Sequence, residues 1–331
     1  MDLKCLRRPI VADLERFENV FRSAMLVNGG KDGESGLLQA ALQHLSRRLG
    51  KMMRPTLVLL AAREGGQVTD AALHAAAGLE LLHTASLVHD DILDESNMRR
   101  GQPSVNALWG DKAAVLVGDY LTSKALSEIA YSANPEAVNL TAWLGRQLAD
   151  GELDQMALTR QQTFDEAPYY NVIAKKTAAL FSVCARIGAI LGGADDATVE
   201  RLGRFGNLTG LCFQIRDDIF DLDTTLDVGK PKGNDMLEGK LTLPVLHALI
   251  AATEGRERAT ALALKVRSGE ASTEEIQALV DFTLSNDGIA YAETAMTKLR
   301  NEAVGLLADL RDRAVAEALT AYIDYVIQRN K

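Results

Sequence analysis

Apolar residues return at i, i+3, i+4 spacing through almost every stretch of the chain, and strict two-residue alternation is scarce. This period predicts helices over residues 10–27, 34–48, 55–64, 70–95, 111–131, 135–158, 166–192, 196–221, 243–252, 256–267, 273–284 and 287–328, the last broken near Arg311. Residues 70–89 and 177–192 are apolar nearly all round and belong at the centre of a bundle. Residues 111–131 and 135–158 carry mixed faces that suit an outer layer or a subunit interface. The expected fold is all-α, without the fixed-period repeat of a solenoid. No Pro/Ser-rich linker or composition shift marks a boundary, so residues 1–331 are expected to form one large domain.

Two acidic clusters interrupt the apolar pattern at the ends of helices. Asp90, Asp91 and Asp94 follow the run Leu79–Val88, and Asp217, Asp218 and Asp221 follow Leu208–Ile215 with the same D-D-x-x-D spacing. Residues four apart share a helix face about 6 Å apart along the axis, so Asp90 and Asp94 can share a divalent cation. Average composition gives about 0.1 such motifs by chance in a chain of this length, so two, each closing an apolar run, are not an accident of composition. Two basic loops flank them. Residues 49–55 place Lys51 and Arg54 just before a helix, and residues 222–244, rich in Gly, Pro and Lys, suit a segment that closes over an anion.

Charge narrows the partners. The net charge is −9, with 36 basic and 45 acidic residues intermixed, and no basic face favours nucleic acid. Cys5, Cys184 and Cys212 show no metal-type spacing and fit free thiols in a reducing, cytoplasmic compartment. No signal peptide is evident, and the longest apolar run, Thr177–Ala194, is broken by Arg186 and three glycines, so no integral membrane segment is expected.

Two facing carboxylate clusters repel unless hard cations relieve them, and Mg²⁺ prefers a few carboxylates, waters and substrate phosphate oxygens. The implied substrate carries a diphosphate. G-x-S-x-G, Walker A and C-x-x-C motifs are missing from the sequence, so a site that draws a diphosphate away from carbon is favoured over phosphoryl transfer or covalent catalysis.

The chain resembles the trans-isoprenyl diphosphate synthases, or polyprenyl synthetases, from about residue 45 onward. The resemblance runs through E-L-L-H-T-A-S-L-V-H-D-D-I-L-D-E-S-N-M-R-R-G at 80–101, V-G-D-Y-L at 117–121 and G-E-L-D-Q at 151–155. It continues through K-T-A-A-L-F at 176–181, F-Q-I-R-D-D-I-F-D at 213–221 and G-K-P-K-G-N-D-M-L-E-G-K-L-T-L-P at 229–244. It implies a helical bundle with a central cavity that condenses isopentenyl diphosphate with an allylic diphosphate, farnesyl or geranylgeranyl, by ionisation, condensation and elimination. Carried over by position, Asp90, Asp94 and Asp217 bind about three Mg²⁺ ions, with Asp91, Asp218 and Asp221 in support. Arg99, Lys176, Thr177, Gln214, Lys230 and Lys240 hold the allylic diphosphate, while Lys51, Arg54, His83 and Arg100 hold isopentenyl diphosphate. One departure is Met52, where the family often has arginine.

Ala85 and Ser86, one turn before Asp90, are small, and the resemblance places the start of the hydrocarbon tunnel beside them. Gly78 and Ala75 are expected to give room further down, with Trp143 as candidate floor. The expected product is an all-trans chain of about seven to nine isoprene units, C35–C45. Alternatives are a shorter-chain farnesyl or geranylgeranyl diphosphate synthase and the catalytic subunit of a heteromeric synthase. A homodimer is expected, with a heteromeric partner as the variant. A terpene cyclase is disfavoured by the symmetric second motif and the isopentenyl-site residues.

Overall fold

Long apolar stripes rich in Ala and Leu leave helix as the conformation that satisfies the backbone while burying one face, and the chain follows this along most of its length. The structure, a computed structural model, describes residues 3–25, 36–222 and 233–329. In chain order the first helices are α1 (Leu3–Arg7), α2 (Val11–Met25), α3 (Gly36–Ser46), α4 (Met53–Gly65) and α5 (Asp70–Leu93). A two-residue antiparallel pair, β1 (Met98–Arg99) and β2 (Gln102–Pro103), turns the chain into α6 (Val105–Trp109). Then come α7 (Asp111–Ala130), α8 (Pro135–Leu158), α9 (Glu166–Ile173), a π turn (Ala174–Ala178), α10 (Ala179–Gly192) and α11 (Asp196–Leu222). The remainder is α12 (Asn234–Leu237), α13 (Leu243–Ala251), α14 (Arg256–Ser268), α15 (Thr273–Ser285), α16 (Gly288–Gly305) and α17 (Arg313–Gln328).

Starts are set by local chemistry. Thr69 Oγ1 accepts the Ala72 N–H at the head of α5, Asn134 caps α8 with Pro135 behind it, and Ser272 and Glu275 form a reciprocal capping box on α15. The expected break in 287–328 lies between α16 and α17, where the buried Glu64 carboxylate accepts the backbone N–H groups of Arg311 and Asp312.

The centre belongs to α10, packed between α4 and α11 and against α5 and α8. Small residues permit this. A Cβ on Gly188 would stand 2.2 Å from the Val58 carbonyl oxygen, so α4 and α10 approach backbone to backbone. α5 is long and apolar enough to cross a membrane by length and composition, yet 67% of its apolar window is buried inside the bundle. A second, smaller core of Leu222, Met236, Val245, Leu249 and Leu279 joins the end of α11 to α12, α13 and α15.

Three short helices, α1, α6 and α12, and the β1–β2 pair were outside the periodic prediction, being too short to complete a period. The expected helix 166–192 is interrupted by the π turn, which holds Lys176 and Thr177. Such a bulge in an otherwise regular helix commonly marks a functional site.

Candidate active site

Both acidic clusters end helices, α5 and α11, and neither helix has a basic residue in its last turn. A helix C-terminus carries partial negative charge, so carboxylates placed there are destabilised until cations arrive from elsewhere. The fold brings them from distant parts of the chain. Arg99, on β1, donates through Nε to Asp91 Oδ1 at 2.8 Å. Lys240 reaches back 146 residues to Asp94 at 3.1 Å and also pairs with Glu238. Arg329, just past α17, donates to Asp217 Oδ1 at 2.6 Å and to the Phe213 carbonyl at 2.9 Å, its guanidinium lying 3.7 Å from the Phe213 ring centre.

The second motif is also held from behind. Asp218 is buried and accepts from Tyr169 Oη and, at 3.0 Å, from Gln214 Nε2, while Gln214 Oε1 takes the Thr177 hydroxyl at 2.8 Å. Asp221 accepts the backbone N–H groups of Asn234 at 2.9 Å and Asp235 at 3.2 Å, tying α11 to the start of α12. The π turn is reached from α8, where a Cβ on Gly151 would stand 2.8 Å from Lys176 Cγ. Lys176 pairs there with Glu152 and donates to Gln155 at 3.1 Å. A cavity of about 150 Å³ is lined by Lys176, Thr177, Gln214, Asp218, Asp235 and Lys240.

Electrostatics measure what the site lacks. Burial pushes Asp90 up to about 6 against the pull of Lys176, with Glu152 and Asp94 adding to the rise. Burial pushes Asp218 up to about 7 despite its two hydrogen bonds. Burial, Asp221 and Asp218 together hold Asp235 well above the usual carboxylate range. Burial works against the charge of Lys240, but Asp94 and Glu238 more than compensate and raise its pKa. Carboxylates crowded to this degree favour added positive charge.

Among the described residues no three Asp, Glu, His or Cys side chains converge closely enough to chelate an ion by themselves. The donors are hard carboxylate oxygens in two groups, the form that suits an ion completing its shell with water and diphosphate oxygens. The residues present therefore fit Mg²⁺ bound together with substrate.

The second basic group lies where α4 meets α5. Arg54 stacks over Phe181 and Phe213, 5.1 and 5.8 Å from the ring centres, and Lys51 Nζ lies 5.4 Å over Tyr325. His83 is buried, and burial with the fields of Arg54, Arg100 and Arg99 drives its pKa well down, so it faces this group as a neutral imidazole. Met52 and Arg100 both adopt left-handed backbone, with φ of 49° and 52°, a conformation that costs non-glycine residues energy.

The structure thus assembles the six predicted aspartates with Arg99, Lys176, Thr177, Gln214 and Lys240, and sets Lys51, Arg54, His83 and Arg100 nearby. Lys230 lies outside the described residues. Ala85 is buried and Ser86 half-buried on α5. Two tunnel expectations change. A Cβ on Gly78 would stand 2.8 Å from the Ala125 carbonyl oxygen and 2.9 Å from Ile129 Cγ1, so α7 fills the space expected there. Trp143 is 39% exposed on α8, a position that closes no tunnel within one chain. Sequence reasoning missed Arg329 and Tyr169, which carry no motif of their own as single residues, and gave no role to Glu152, which lay within the quoted G-E-L-D-Q run. Asp235 lay within the quoted G-N-D-M-L-E-G-K run and was legible there as a further acid.

Comparisons with known proteins bear on the family and the fold. The Polyprenyl synthetase family profile matches residues 35–282. Heptaprenyl diphosphate synthase component 2 of Geobacillus stearothermophilus is 36% identical over 325 residues, 94% of this chain and 97% of that protein. The crystal structure of a geranylgeranyl pyrophosphate synthase from Bacteroides thetaiotaomicron superposes with a TM-score of 0.85 at 42% identity over 99% of both chains. A polyprenyl synthase from Caulobacter crescentus, crystallised with calcium and isoprenyl diphosphate, gives a TM-score of 0.90 at 28% identity, covering 100% of this chain and 98% of that one.

Proposed function

The chain belongs to the polyprenyl synthetase family, a prenyl-transferring enzyme of all-α fold, and from that premise we infer how its own residues carry the reaction. Divalent metal serves the family, and here we assign Mg²⁺, about three ions, to Asp90, Asp94 and Asp217 together with the diphosphate. When bound, the metal neutralises charge on the departing diphosphate. Lys176, Thr177, Gln214, Arg99 and Lys240 orient the allylic diphosphate, with Lys230 as a further candidate. Lys51, Arg54, His83 and Arg100 seat isopentenyl diphosphate beside it. The allylic C–O bond breaks, the isopentenyl double bond attacks the resulting cation, and the proton lost from the new tertiary cation passes to the released pyrophosphate. Apolar helix faces keep water from the cation.

The observation that carries this reading is the Lys240–Asp94 pair, which joins the first acidic motif to the segment following the second. Incubating the protein with Mg²⁺, labelled isopentenyl diphosphate and farnesyl diphosphate, then sizing the products, tests it. All-trans products of about C35–C45 are expected, the small pair Ala85–Ser86 supporting length over a farnesyl or geranylgeranyl stop. No incorporation, or activity retained by Asp90→Ala, sinks the assignment.

Residues 1–331 are read as one domain, because the main core draws on helices from α1 to α17. We assign a homodimer that covers the α7–α8 face. Val115, Leu116 and Leu126 on α7 and Val138, Leu153 and Met156 on α8 are 40–68% exposed, apolar side chains on neighbouring helices that a second copy would cover. The relative named component 2 makes a heteromer the variant reading, with this chain as the catalytic partner. Mass measurement in solution decides between them: twice the chain mass with full activity supports the homodimer. A reducing cytoplasmic setting is consistent with free Cys184 and Cys212, both buried.

A further inference from the structure

Lys51 and Arg54 stand on either side of one strained turn. Met52, between Lys51 and the first residue of α4, holds a left-handed backbone at φ 49°, and no side chain caps the helix there. A residue with a Cβ pays for this conformation and keeps it only where its surroundings fix it. Three consecutive carbonyls show what fixes it. That of Met52 accepts locally, from the Thr56 hydroxyl at 2.7 Å. That of Met53 accepts from Tyr322 Oη on α17 at 2.8 Å, and that of Lys51 from the guanidinium of Arg7, the last residue of α1.

Both distant donors belong to one assembly. α1 packs on α17, and Leu6 and Ile10, fully buried on either side of Arg7, anchor it in the core. The same α17 supplies Tyr325, whose ring lies 5.4 Å from Lys51 Nζ. The residue before Lys51 meets a second arginine: a Cβ on Gly50 would stand 2.8 Å from Arg100 Nη2, so only glycine lets that guanidinium lie against the chain there. Arg7 itself lies before residue 35, where the family profile begins.

We propose that Arg7 is a positioning residue for the isopentenyl diphosphate subsite: by taking the Lys51 carbonyl it holds the left-handed turn at Met52, and that turn sets Lys51 relative to Arg54. This rests on the assignment of Lys51, Arg54, His83 and Arg100 to that diphosphate. Arg7 acts through the Lys51 peptide, not on substrate. Its loss lets Met52 relax out of the left-handed region, so Lys51 leaves its place while the acidic motifs and the residues assigned to the allylic diphosphate keep theirs. One substrate is weakened and the other spared.

Steady-state kinetics with each substrate varied in turn test this on the full chain. Arg7→Ala should raise KM for isopentenyl diphosphate about tenfold, the scale of one lost hydrogen bond, leave KM for the allylic diphosphate within about twofold, and lower kcat less than it raises that KM. Arg7→Met keeps the apolar stem without the donor, should behave alike, and carries the test if Arg7→Ala does not fold. The turn gives a second readout. Glycine takes the left-handed conformation without strain, so adding Met52→Gly to Arg7→Ala should bring KM back to within about threefold of wild type. An unchanged KM for isopentenyl diphosphate in a folded Arg7 variant, equal rises for both substrates, or no recovery with Met52→Gly overturns the proposal. Lys51→Ala separates it from the assignment beneath it. If that variant leaves the same KM unchanged, the subsite assignment falls and the proposal with it; if it raises KM and Arg7→Ala does not, Arg7 alone is misassigned.

Discussion

Asp90-Asp91-x-x-Asp94 and Asp217-Asp218-x-x-Asp221 have one spacing and sit at the same end of their helices, yet the structure treats them differently. The first motif is open. Asp94 is itself the C-cap of α5, Asp90 stands raised by burial, and the motif's cations are Arg99 on Asp91, Lys240 on Asp94 and Lys176 of the π turn near Asp90. The second is braced, with Asp218 buried under Tyr169 and Gln214, Asp221 receiving the N–H groups at the head of α12, and Asp217 gripped by Arg329. Spacing makes both motifs able to hold a cation. Their partners tie the first to cations, Arg99 and Lys240, and the second to neutral donors, Tyr169, Gln214 and the backbone of α12, with Arg329 on Asp217 alone. A motif read from sequence therefore specifies donors, while the division of labour comes from partners elsewhere in the chain, as far as 146 residues away.

Removing a donor from each half gives the largest test of that contrast. Asp90→Ala should lower kcat by about 10²–10³-fold, the scale of losing one electrostatic contact to developing charge, with Tm unchanged or higher because a strained carboxylate is gone. Asp218→Asn should lower both kcat and Tm. If the two variants lose activity and stability alike, the halves are equivalent and the contrast fails.

Tyr169→Phe sharpens the same point at smaller cost. It deprives the buried Asp218 of one donor, worth about 1–3 kcal/mol, and lowers Tm while Asp90 chemistry keeps most of its rate. Thermal melting beside single-turnover rates separates these effects.

pH gives a graded comparison. An Asp whose folded pKa stands above its unfolded value binds more protons folded than unfolded between the two, so its contribution is full below the unfolded pKa and is lost as pH rises through the folded one. Burial puts Asp90 at about 6 and Asp218 at about 7, against 3.8 for the free side chain. Without divalent metal, Tm should fall as pH rises from about 4 to about 7. Asp218→Asn should flatten the upper part of that fall, and Mg²⁺ with pyrophosphate should reverse it. A metal-free Tm that climbs through this window contradicts the crowding.

Much of this was legible in the sequence because helical period and motif spacing are local properties. The long helices and both acidic clusters needed only neighbours within a few residues. The π turn at Ala174–Ala178 did not show, since Ala-Lys-Lys-Thr-Ala is composed for an ordinary helix and only the approach of α8 at Gly151 gives the bulge a purpose. Arg329 and Tyr169 were hidden because each meets its aspartate across 112 and 49 residues, and no spacing rule spans that distance. Gly78 misled in the other direction. A missing side chain reads as room until the packing of α7 shows that another backbone occupies it.

The smallest expected effect on rate is also the one that decides where the hydrocarbon runs. Five and four residues before each motif, the two helices differ most: Ala85 and Ser86 on α5, Cys212 and Phe213 on α11. Phe213 packs against Phe181 with ring centres 5.3 Å apart and lies beneath Arg329, so the α11 side is closed by an aromatic already engaged in holding a cation. The α5 side presents a methyl group and a hydroxymethyl group. A chain growing along α5 would be obstructed by Ala85→Phe, which should shorten products while the first condensation keeps its rate. Phe213→Ala should leave product length unchanged and weaken the seats of Arg54 and Arg329 instead, raising KM for isopentenyl diphosphate. Longer products from Phe213→Ala, with an unchanged distribution from Ala85→Phe, would put the tail on the α11 side and reverse the comparison.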